Sequence, residues 1–309
     1  MDSTERIVLT QPAAEERVCA VVTTYRPAAS LIENVRLIGV QVSLVIIVDD
    51  SGTDGDFSRL QSWFGGSRRV ELIKQEANLG QAAALNRGLA AAFRKGYLWA
   101  LALDDDSSVE PDIVRSLTGS WRAVSGDGGK PVAVMGISYR DSRTGFAEPE
   151  PADGVRFLEK RGVITSGSLI SLDIYRQIGP FREEFFIDFV DYDFCLRARD
   201  KGYRIVKLSR FGMTHSLGYQ TRRRIGWFFV ETTNHAPLRR YYMYRNSMIL
   251  AREQFLRDPL FSLAVVFFSL KTVLLVLFFE KNRYYKIRMM WRGIIDAFSR
   301  RMGKCPWNY

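Results

Sequence analysis

Clustered carboxylates are the first feature of the sequence that could do chemistry. Asp49 and Asp50 follow one short apolar run. Asp104, Asp105 and Asp106 follow another. Three consecutive aspartates repel one another unless a cation neutralises them, and hard oxygen ligands select Mg²⁺ or Mn²⁺, which also bridge diphosphate oxygens. The triplet therefore predicts either a divalent-metal site or a solvated acidic turn that caps the next helix.

A turn with a glycine lies between the two acidic clusters. Asn78 and Gly80 stand directly before a helical pattern, and Asn86 lies within it. Glycine permits close approach of the backbone to a ligand, and a helix N-terminus suits a phosphate group. Asn and Gly are also ordinary cap residues, so the turn predicts either a phosphate-binding loop or a simple helix cap.

Short apolar runs alternate with helical patterns along the part of the chain that carries these residues. Strands are predicted at Val18–Thr23, Leu44–Val48, Val70–Lys74, Leu98–Leu103 and Val132–Ser138, with helices near Leu31–Ile38, Phe57–Phe64, Gln81–Phe93 and Asp112–Val124. Such alternation with uniformly apolar strands predicts an α/β fold with a parallel sheet covered on both faces. Because ligands bind outside the carboxyl ends of such strands, both acidic clusters fall where a ligand site is expected.

The cysteines indicate the cellular compartment, and the charge distribution indicates the kind of surface that the protein contacts. Cys19, Cys195 and Cys305 are odd in number and lack metal-ligand spacing, so reduced thiols in a cytosolic compartment are expected. Residues 1–220 hold 27 Lys and Arg against 29 Asp and Glu, whereas residues 221–309 hold 17 against 5. A basic tail on a nearly neutral body predicts contact with a negative surface. No groove-reading module accompanies the tail, so a nucleic-acid partner is not expected.

Two apolar segments in the tail point to a lipid surface. Pro259–Phe279 is about as long as the ~20 residues that span a bilayer core, but Lys271 would cost roughly 2.5–3.5 kcal/mol near its centre. Tyr284–Met302 places apolar residues at helical spacing between basic ones, the pattern of a helix in an anionic interface. The alternative is a helical pair packed on the α/β domain or in a homo-oligomer.

An ordered set of motifs resembles the family 2 glycosyltransferases, which invert the anomeric configuration of the sugar that they transfer. These enzymes have the GT-A fold, a Rossmann-like nucleotide-diphospho-sugar transferase fold. The motifs are Thr23–Thr24–Tyr25, Val48–Asp49–Asp50–Ser51, Asn78-x-Gly80, Asn86-x-Gly88, Asp104–Asp106, Ser166–Gly167–Ser168, Gly179-x-Phe181, Phe186–Asp193 and Thr214–Gly218. The resemblance implies a lead-in at residues 1–16, a GT-A domain at 17–250 and a C-terminal helical region at 251–309 for membrane association or oligomerisation.

Within that family the chain is most similar to bacterial rhamnosyltransferases. The resemblance implies a dTDP-L-rhamnose donor, a saccharide or lipid-linked acceptor, and a place in the bacterial cytoplasm, peripheral on the inner face of the cytoplasmic membrane. Galactofuranosyltransferases and other hexosyltransferases that use UDP-sugars share much of the pattern, and a non-catalytic nucleotide-sugar-binding module is a third alternative. Gln220 and Trp227 do not match the spacing of processive synthases, which predicts single transfer.

The resemblance also implies a role for each motif residue. Asp191 stands at the base position; many relatives carry two acids there, but this chain has Val190 before Asp191. Asp104, Asp106 and His215 are implied as ligands of Mg²⁺ or Mn²⁺. Ser166, Gly167 and Asp188 are implied on the acceptor side. The implied donor-binding residues are Thr24, Tyr25, Arg26, Asp49, Asn78, Gly80, Asn86, Asp104 and Asp105.

Overall fold

The computed structural model describes the backbone of residues 18–126, 128–141, 157–215, 221–225 and 228–307, and the side chains of these residues except 141, 215, 221–225 and 228–231. Its strands and helices follow one another along the chain as β1 (Val18–Thr24), α1 (Ser30–Gly39), β2 (Leu44–Asp49), α2 (Asp54–Phe64), β3 (Val70–Lys74), α3 (Gln81–Arg94), β4 (Trp99–Asp104), β5 (Ser108–Val109), α4 (Ile113–Ser125), β6 (Val132–Asp141), β7 (Phe157–Glu159), β8 (Ser168–Ser171), α5 (Leu172–Ile178), a 3₁₀ turn (Glu183–Phe185), α6 (Val190–Asp200), β9 (Arg204–His215), β10 (Thr221–Ile225), β11 (Phe228–Thr232), α7 (Pro237–Gln254), α8 (Pro259–Phe279) and α9 (Arg283–Phe298).

The chain divides into two compact units. The first holds the described residues of Met1–Phe181 and Asp191–Ser216, and the second those of Arg182–Val190 and Leu217–Tyr309. This division differs from the predicted boundary at residue 250, because α7 and the segment before α6 belong with the tail helices. The predicted lead-in at residues 1–16 lies outside the described residues.

The first unit is built on a mixed sheet in the order β3-β2-β1-β4-β8-β6-β9-β5, with β7 paired to β9. Strands β1 to β4 are parallel, as predicted. Beyond β4 the prediction of a parallel sheet is wrong, because β8 runs antiparallel to both β4 and β6. Strand β9 is the longest of the sheet, with twelve residues.

The parallel strands β1, β2 and β4 are buried over almost their whole length, which explains their uniformly apolar sequences. Helix α3 packs against them through Gly88, where an added Cβ would lie 2.3 Å from Cγ1 of Val21. Glycine is therefore required at this crossing, since any side chain would push the helix off the sheet. The close packing brings the first residue of α3, Gln81, to the end of β4, where its amide meets Asp104.

The second unit contains α7, α8, α9 and the β10–β11 hairpin. Helix α7 buries polar and charged side chains as well as apolar ones, including Arg240 and Arg245. Arg240 and Lys286 both pair with the buried carboxylate of Glu280, at 2.5 and 2.8 Å. The sequence did not predict α7, because its buried face is not apolar and gives no helical periodicity.

Candidate functional site

The carboxyl ends of three neighbouring strands bring the predicted donor-binding residues together. β1 lies between β2 and β4, and the strand register pairs Thr24 with Asp49 and Thr23 with Asp104. The two acidic clusters therefore flank the end of β1. This edge is where an open α/β sheet binds its ligand.

Asp50 anchors the glycine turn to this edge. Its carboxylate accepts the backbone N–H of Leu79 at 2.8 Å, the N–H of Gly80 at 2.9 Å and the side-chain amide of Gln75 at 2.6 Å. Gly80 has φ +96°, a conformation that favours glycine, and it directly precedes α3. Burial raises the pKa of Asp50 to about 6, although its hydrogen bonds act in the opposite direction. No role was predicted for Asp50, which holds the turn through the backbone N–H groups of Leu79 and Gly80.

Two of the predicted donor-binding residues each have a buried oxygen without a protein partner within the described part of the chain. They are Oδ2 of Asp49 and Oδ1 of Asn78. The other oxygen of Asp49 accepts the backbone N–H of Ser51 at 2.9 Å, which holds the carboxylate in place. Because buried acceptors are normally paired, these two oxygens are suited to receive N–H or O–H groups of a ligand.

The three aspartates after β4 differ in what they contact. Asp104 accepts the side-chain amide of Gln81 at 2.9 Å. Asp105 accepts the hydroxyl of Thr24 at 2.6 Å, and burial raises the pKa of its carboxyl. Asp106 is exposed. The bond between Thr24 and Asp105 therefore joins the ends of β1 and β4. The metal-ligand role of Asp104 and Asp106 stays a prediction.

The residues present fit a magnesium or manganese ion only in part. Among the described side chains, no group of three or more His, Cys, Asp and Glu residues comes together as a metal site. His215 ends β9, and its side chain lies outside the described residues. Mg²⁺ is usually held by one or two carboxylates together with substrate phosphates and water. The carboxylates of Asp104 and Asp106 meet that requirement.

Ser166 and Gly167 support the end of β4 from the neighbouring turn. The buried hydroxyl of Ser166 accepts the N–H of Asp104 at 3.1 Å and lies 2.7 Å from the hydroxyl of Ser107. The N–H of Gly167 donates to the carbonyl of Ala102 at 2.8 Å. These contacts give both residues a structural task next to the acidic triplet; the predicted acceptor contact stays a prediction.

Asn86 has a different task from the donor contact predicted for it. Its side-chain N–H donates to the carbonyl of Phe181 at 2.9 Å, and its oxygen accepts the N–H of Phe181 at 2.9 Å and the hydroxyl of Tyr175 at 2.8 Å. Asn86 is buried, and these bonds use its donor and acceptor groups internally. We therefore assign Asn86 to fixing the turn that ends at Phe181.

Tyr25 and Arg26 lie at the rim of the edge, after β1. The guanidinium of Arg26 stacks 5.1 Å from the ring centroid of Tyr25, and both side chains are exposed. The backbone N–H of Arg26 donates to the hydroxyl of Ser51 at 2.7 Å, and Arg26 has φ +56°. The rim is thus joined to β2, and an aromatic ring and a cation remain accessible to a ligand.

Asp191 is the second residue of α6 and is half-buried. One of its oxygens accepts the backbone N–H of Tyr192 at 2.8 Å. Asp193 differs, because it is buried and pairs with Arg197 at 2.9 Å. Arg197 in turn donates to the carbonyl of Pro180 at 2.8 Å. The structure thus gives Asp193 the role of supporting the helix, and the base role of Asp191 stays a prediction.

Asp188 belongs to the second unit, where Arg239 pairs with it at 3.1 Å. Burial raises the pKa of its carboxyl, and the nearby Arg239 partly offsets that rise. Phe186, Asp188 and Phe189 all have φ between +63° and +67°, which is strained for residues with side chains. The buried amide of Asn246 donates to the carbonyl of Asp188 at 2.8 Å and helps to hold this segment.

Several residues that hold the site in shape were not predicted from the sequence. Asp50, Gln75, Gln81 and Ser107 bind backbone or neighbouring side chains, and none of them was given a role. The available signal was position: Asp50 adjoins Asp49 at a strand end, and Gln81 is the first residue of the helix after Gly80. The partners of these residues are distant in sequence, so only the fold identifies them.

Part of the chain matches a known protein family. Residues 19–159 match the model described as "Glycosyl transferase family 2". The dTDP-rhamnosyl transferase RfbF of Shigella flexneri is 25% identical over 290 residues, which cover 91% of this chain and 94% of that protein. The matched region contains the strand ends, the glycine turn and the acidic triplet described above.

Solved structures with the same fold support this similarity. S. aureus TarS 1–349 in complex with UDP-GlcNAc has a TM-score of 0.61 at 16% identity, covering 91% of this chain and 81% of that one. GalNAc-T7 with UDP, GalNAc and Mn²⁺ has a TM-score of 0.52 at 12% identity, covering 75% and 47%. At these identities the likeness concerns the fold alone, and it confirms the predicted GT-A fold.

Proposed function

We propose that this glycosyltransferase, whose residues 19–159 match the family 2 model, transfers L-rhamnose from dTDP-L-rhamnose with inversion. The observation that carries this choice of sugar is the similarity to a dTDP-rhamnosyl transferase along almost the whole of both chains. A saccharide or lipid-linked saccharide of a bacterial cell surface is the proposed acceptor.

The donor is proposed to bind at the shared edge of β1, β2 and β4. The unpaired buried oxygens of Asp49 and Asn78 can accept N–H or O–H groups of the nucleoside. The N-terminus of α3, held by Asp50, offers a positive dipole end to the diphosphate. Tyr25 and Arg26 at the rim can stack on the base or pair with a phosphate oxygen.

Asp191 is the proposed general base. A sugar hydroxyl is a weak nucleophile, so its proton must be removed as the new bond forms at the anomeric carbon. Asp191 has a carboxylate oxygen held by the Tyr192 N–H at the start of α6, which fixes its orientation. One base and an in-line attack on the face opposite the leaving diphosphate give inversion. Asp188 is proposed on the acceptor side.

Asp104 and Asp106 would hold a divalent ion. When bound, Mg²⁺ or Mn²⁺ supplies positive charge that stabilises the departing diphosphate. Neighbouring side chains hold the acidic triplet in place: Gln81 donates to Asp104, and Thr24 donates to Asp105. GalNAc-T7 was solved with Mn²⁺, which supports divalent metal use in this fold.

A binding assay with a panel of donors tests the proposal. Calorimetric titration with dTDP-L-rhamnose, UDP-galactofuranose and UDP-GlcNAc in Mg²⁺ should show at least tenfold tighter binding of dTDP-L-rhamnose. Asp49→Ala should weaken that binding, whereas Asp54→Ala, which removes an exposed carboxylate on α2, should not. Tighter binding of a UDP-sugar would instead assign the protein as a galactofuranosyltransferase or another hexosyltransferase that uses UDP-sugars.

A further inference from the structure

Helix α8 has one packed side and one exposed side. Phe261, Ser262 and Val276 are buried against the rest of the second unit. The exposed side is almost wholly apolar and runs the length of the helix; its residues include Leu260, Leu263, Phe267, Leu270, Leu274 and Phe278. Pro259–Phe279 is also the one helix among the described residues that is long and apolar enough to cross a membrane.

Contacts along its length hold α8 to α7. Near its start, the hydroxyl of Ser262 donates to the carbonyl of Ala251 at 2.8 Å. Midway, the hydroxyl of Tyr244 donates to the carbonyl of Ser269 at 2.6 Å. Directly after its end, the buried carboxylate of Glu280 pairs with Arg240 of α7.

These contacts decide how α8 can meet a bilayer. If α8 crossed the hydrocarbon core, it would carry α7 with it, including the buried arginines Arg240 and Arg245. Charged groups within the core are costly, and Lys271 on the exposed side of α8 would lie near the centre. With α8 in the plane of the interface, α7 stays outside the hydrocarbon and Lys271 can extend to the headgroups.

The charges around α8 identify what covers the exposed side. Between residues 257 and 307 the three acidic residues are used internally: Asp258 caps α8, Glu280 pairs with two cations, and Asp296 accepts the hydroxyl of Tyr241. The exposed charged side chains of this range are all basic, namely Arg257, Lys271, Lys281, Arg283, Arg288, Arg300, Arg301 and Lys304. A second copy would bring the same cations opposite themselves across a twofold axis.

We propose that α8 is an in-plane membrane anchor, with its exposed side among the acyl chains of an anionic leaflet and the surrounding cations on the headgroups. The anchor is independent of the donor site. Helix α9 agrees with this assignment in part: Tyr284, Trp291 and Phe298 are exposed, as expected for an interfacial helix. Lys286, one of the basic residues between the apolar ones of this run, does not reach lipid, because it is buried and paired with Glu280.

Flotation of the full chain with vesicles tests the anchor. The protein should float with vesicles containing phosphatidylglycerol at least tenfold more than with phosphatidylcholine vesicles, and the bound fraction should fall as salt rises. Phe267→Glu combined with Leu270→Glu should abolish flotation and leave donor binding unchanged. The matched control Leu98→Glu, at an exposed residue just before β4, should float like wild type. Flotation of the double variant at the wild-type level would overturn the proposal.

Labelling in sealed vesicles distinguishes an in-plane helix from a spanning one. Arg257→Cys and Lys281→Cys flank α8, and the partly exposed Cys305 is replaced by Ser in both proteins. An impermeant maleimide added outside should modify both positions to the same extent. Protection of one end would overturn the proposal in favour of a spanning helix. A lipid-free dimer that the Phe267→Glu and Leu270→Glu pair dissociates would overturn it in favour of a second copy.

Discussion

The carboxylate of Asp50 accepts the backbone N–H of Gly80 at 2.9 Å and so joins the end of β2 to the start of α3. The bond crosses 30 residues of sequence and fixes the turn that carries Asn78. The cost of this arrangement is a buried carboxylate, and its consequences can be measured as a function of pH.

Asp50 should make stability depend on pH in a defined direction. Its pKa of about 6 in the folded protein exceeds the ~3.9 of an unfolded chain, so the folded state binds more protons between these values. The contribution of Asp50 to the free energy of unfolding therefore falls as pH rises from about 4 to about 6. Relative to wild type, Asp50→Asn should gain up to about 3 kcal/mol between pH 4 and pH 7 in urea denaturation. A pH-independent difference would contradict this.

Asn86 and Asn78 should separate structural from ligand-binding roles. Asn86→Ala leaves the N–H of Phe181 and the hydroxyl of Tyr175 without partners and should lower the free energy of unfolding by about 3 kcal/mol. Asn78→Ala removes an oxygen without a protein partner in the described residues, so stability should change by less than about 1 kcal/mol while the donor KM rises. If Asn86→Ala instead raised the donor KM and left the free energy of unfolding unchanged, Asn86 would contact the donor as first predicted.

The parts of the fold that follow from local pattern could be predicted from the sequence. The buried strands β1, β2 and β4 are uniformly apolar, α3 has periodic apolar residues, and Pro259–Phe279 was predicted with the observed bounds. Helix α7 and the antiparallel strand β8 could not be predicted, because their environment comes from distant segments. Arg245, for example, is buried by donating to the carbonyls of Glu184 and Gly303.

The same distinction holds for the candidate site. The acidic residues at strand ends could be identified from their type and position. What each one does could not, because Thr24, Gln81 and Ser166 meet the triplet only in three dimensions. Polar partners of this kind leave no periodic signal in the sequence.

Metal removal should silence transfer. Because Asp104 and Asp106 are the proposed ligands, EDTA should reduce turnover at least 100-fold, and added Mg²⁺ or Mn²⁺ should restore it. Asp106→Ala should weaken donor binding in the presence of metal. It should leave the free energy of unfolding unchanged, since the side chain of Asp106 is exposed. The control Asp54→Ala should retain wild-type turnover. Full activity in EDTA would return the triplet to a helix-capping role.

Asp191 and Asp193 should respond differently to the same change. Asp191→Asn should lower kcat by at least 100-fold and leave donor affinity and Tm near wild type, because a base acts in the transition state. Asp193→Asn should lower Tm, because Arg197 loses a buried carboxylate. Turnover of Asp191→Asn within tenfold of wild type would remove Asp191 from the base role.

The most direct test of the central claim is the rate of nucleotide release from different donors by one preparation. With Mg²⁺ and a cell-envelope saccharide fraction as acceptor, kcat/KM for release of dTDP from dTDP-L-rhamnose is compared with that for release of UDP from UDP-GlcNAc. A rhamnosyltransferase should give a ratio of at least ten in favour of dTDP-L-rhamnose, with the label of the rhamnose recovered in the saccharide. A ratio below one, or release without recovery of label in any saccharide, would contradict it.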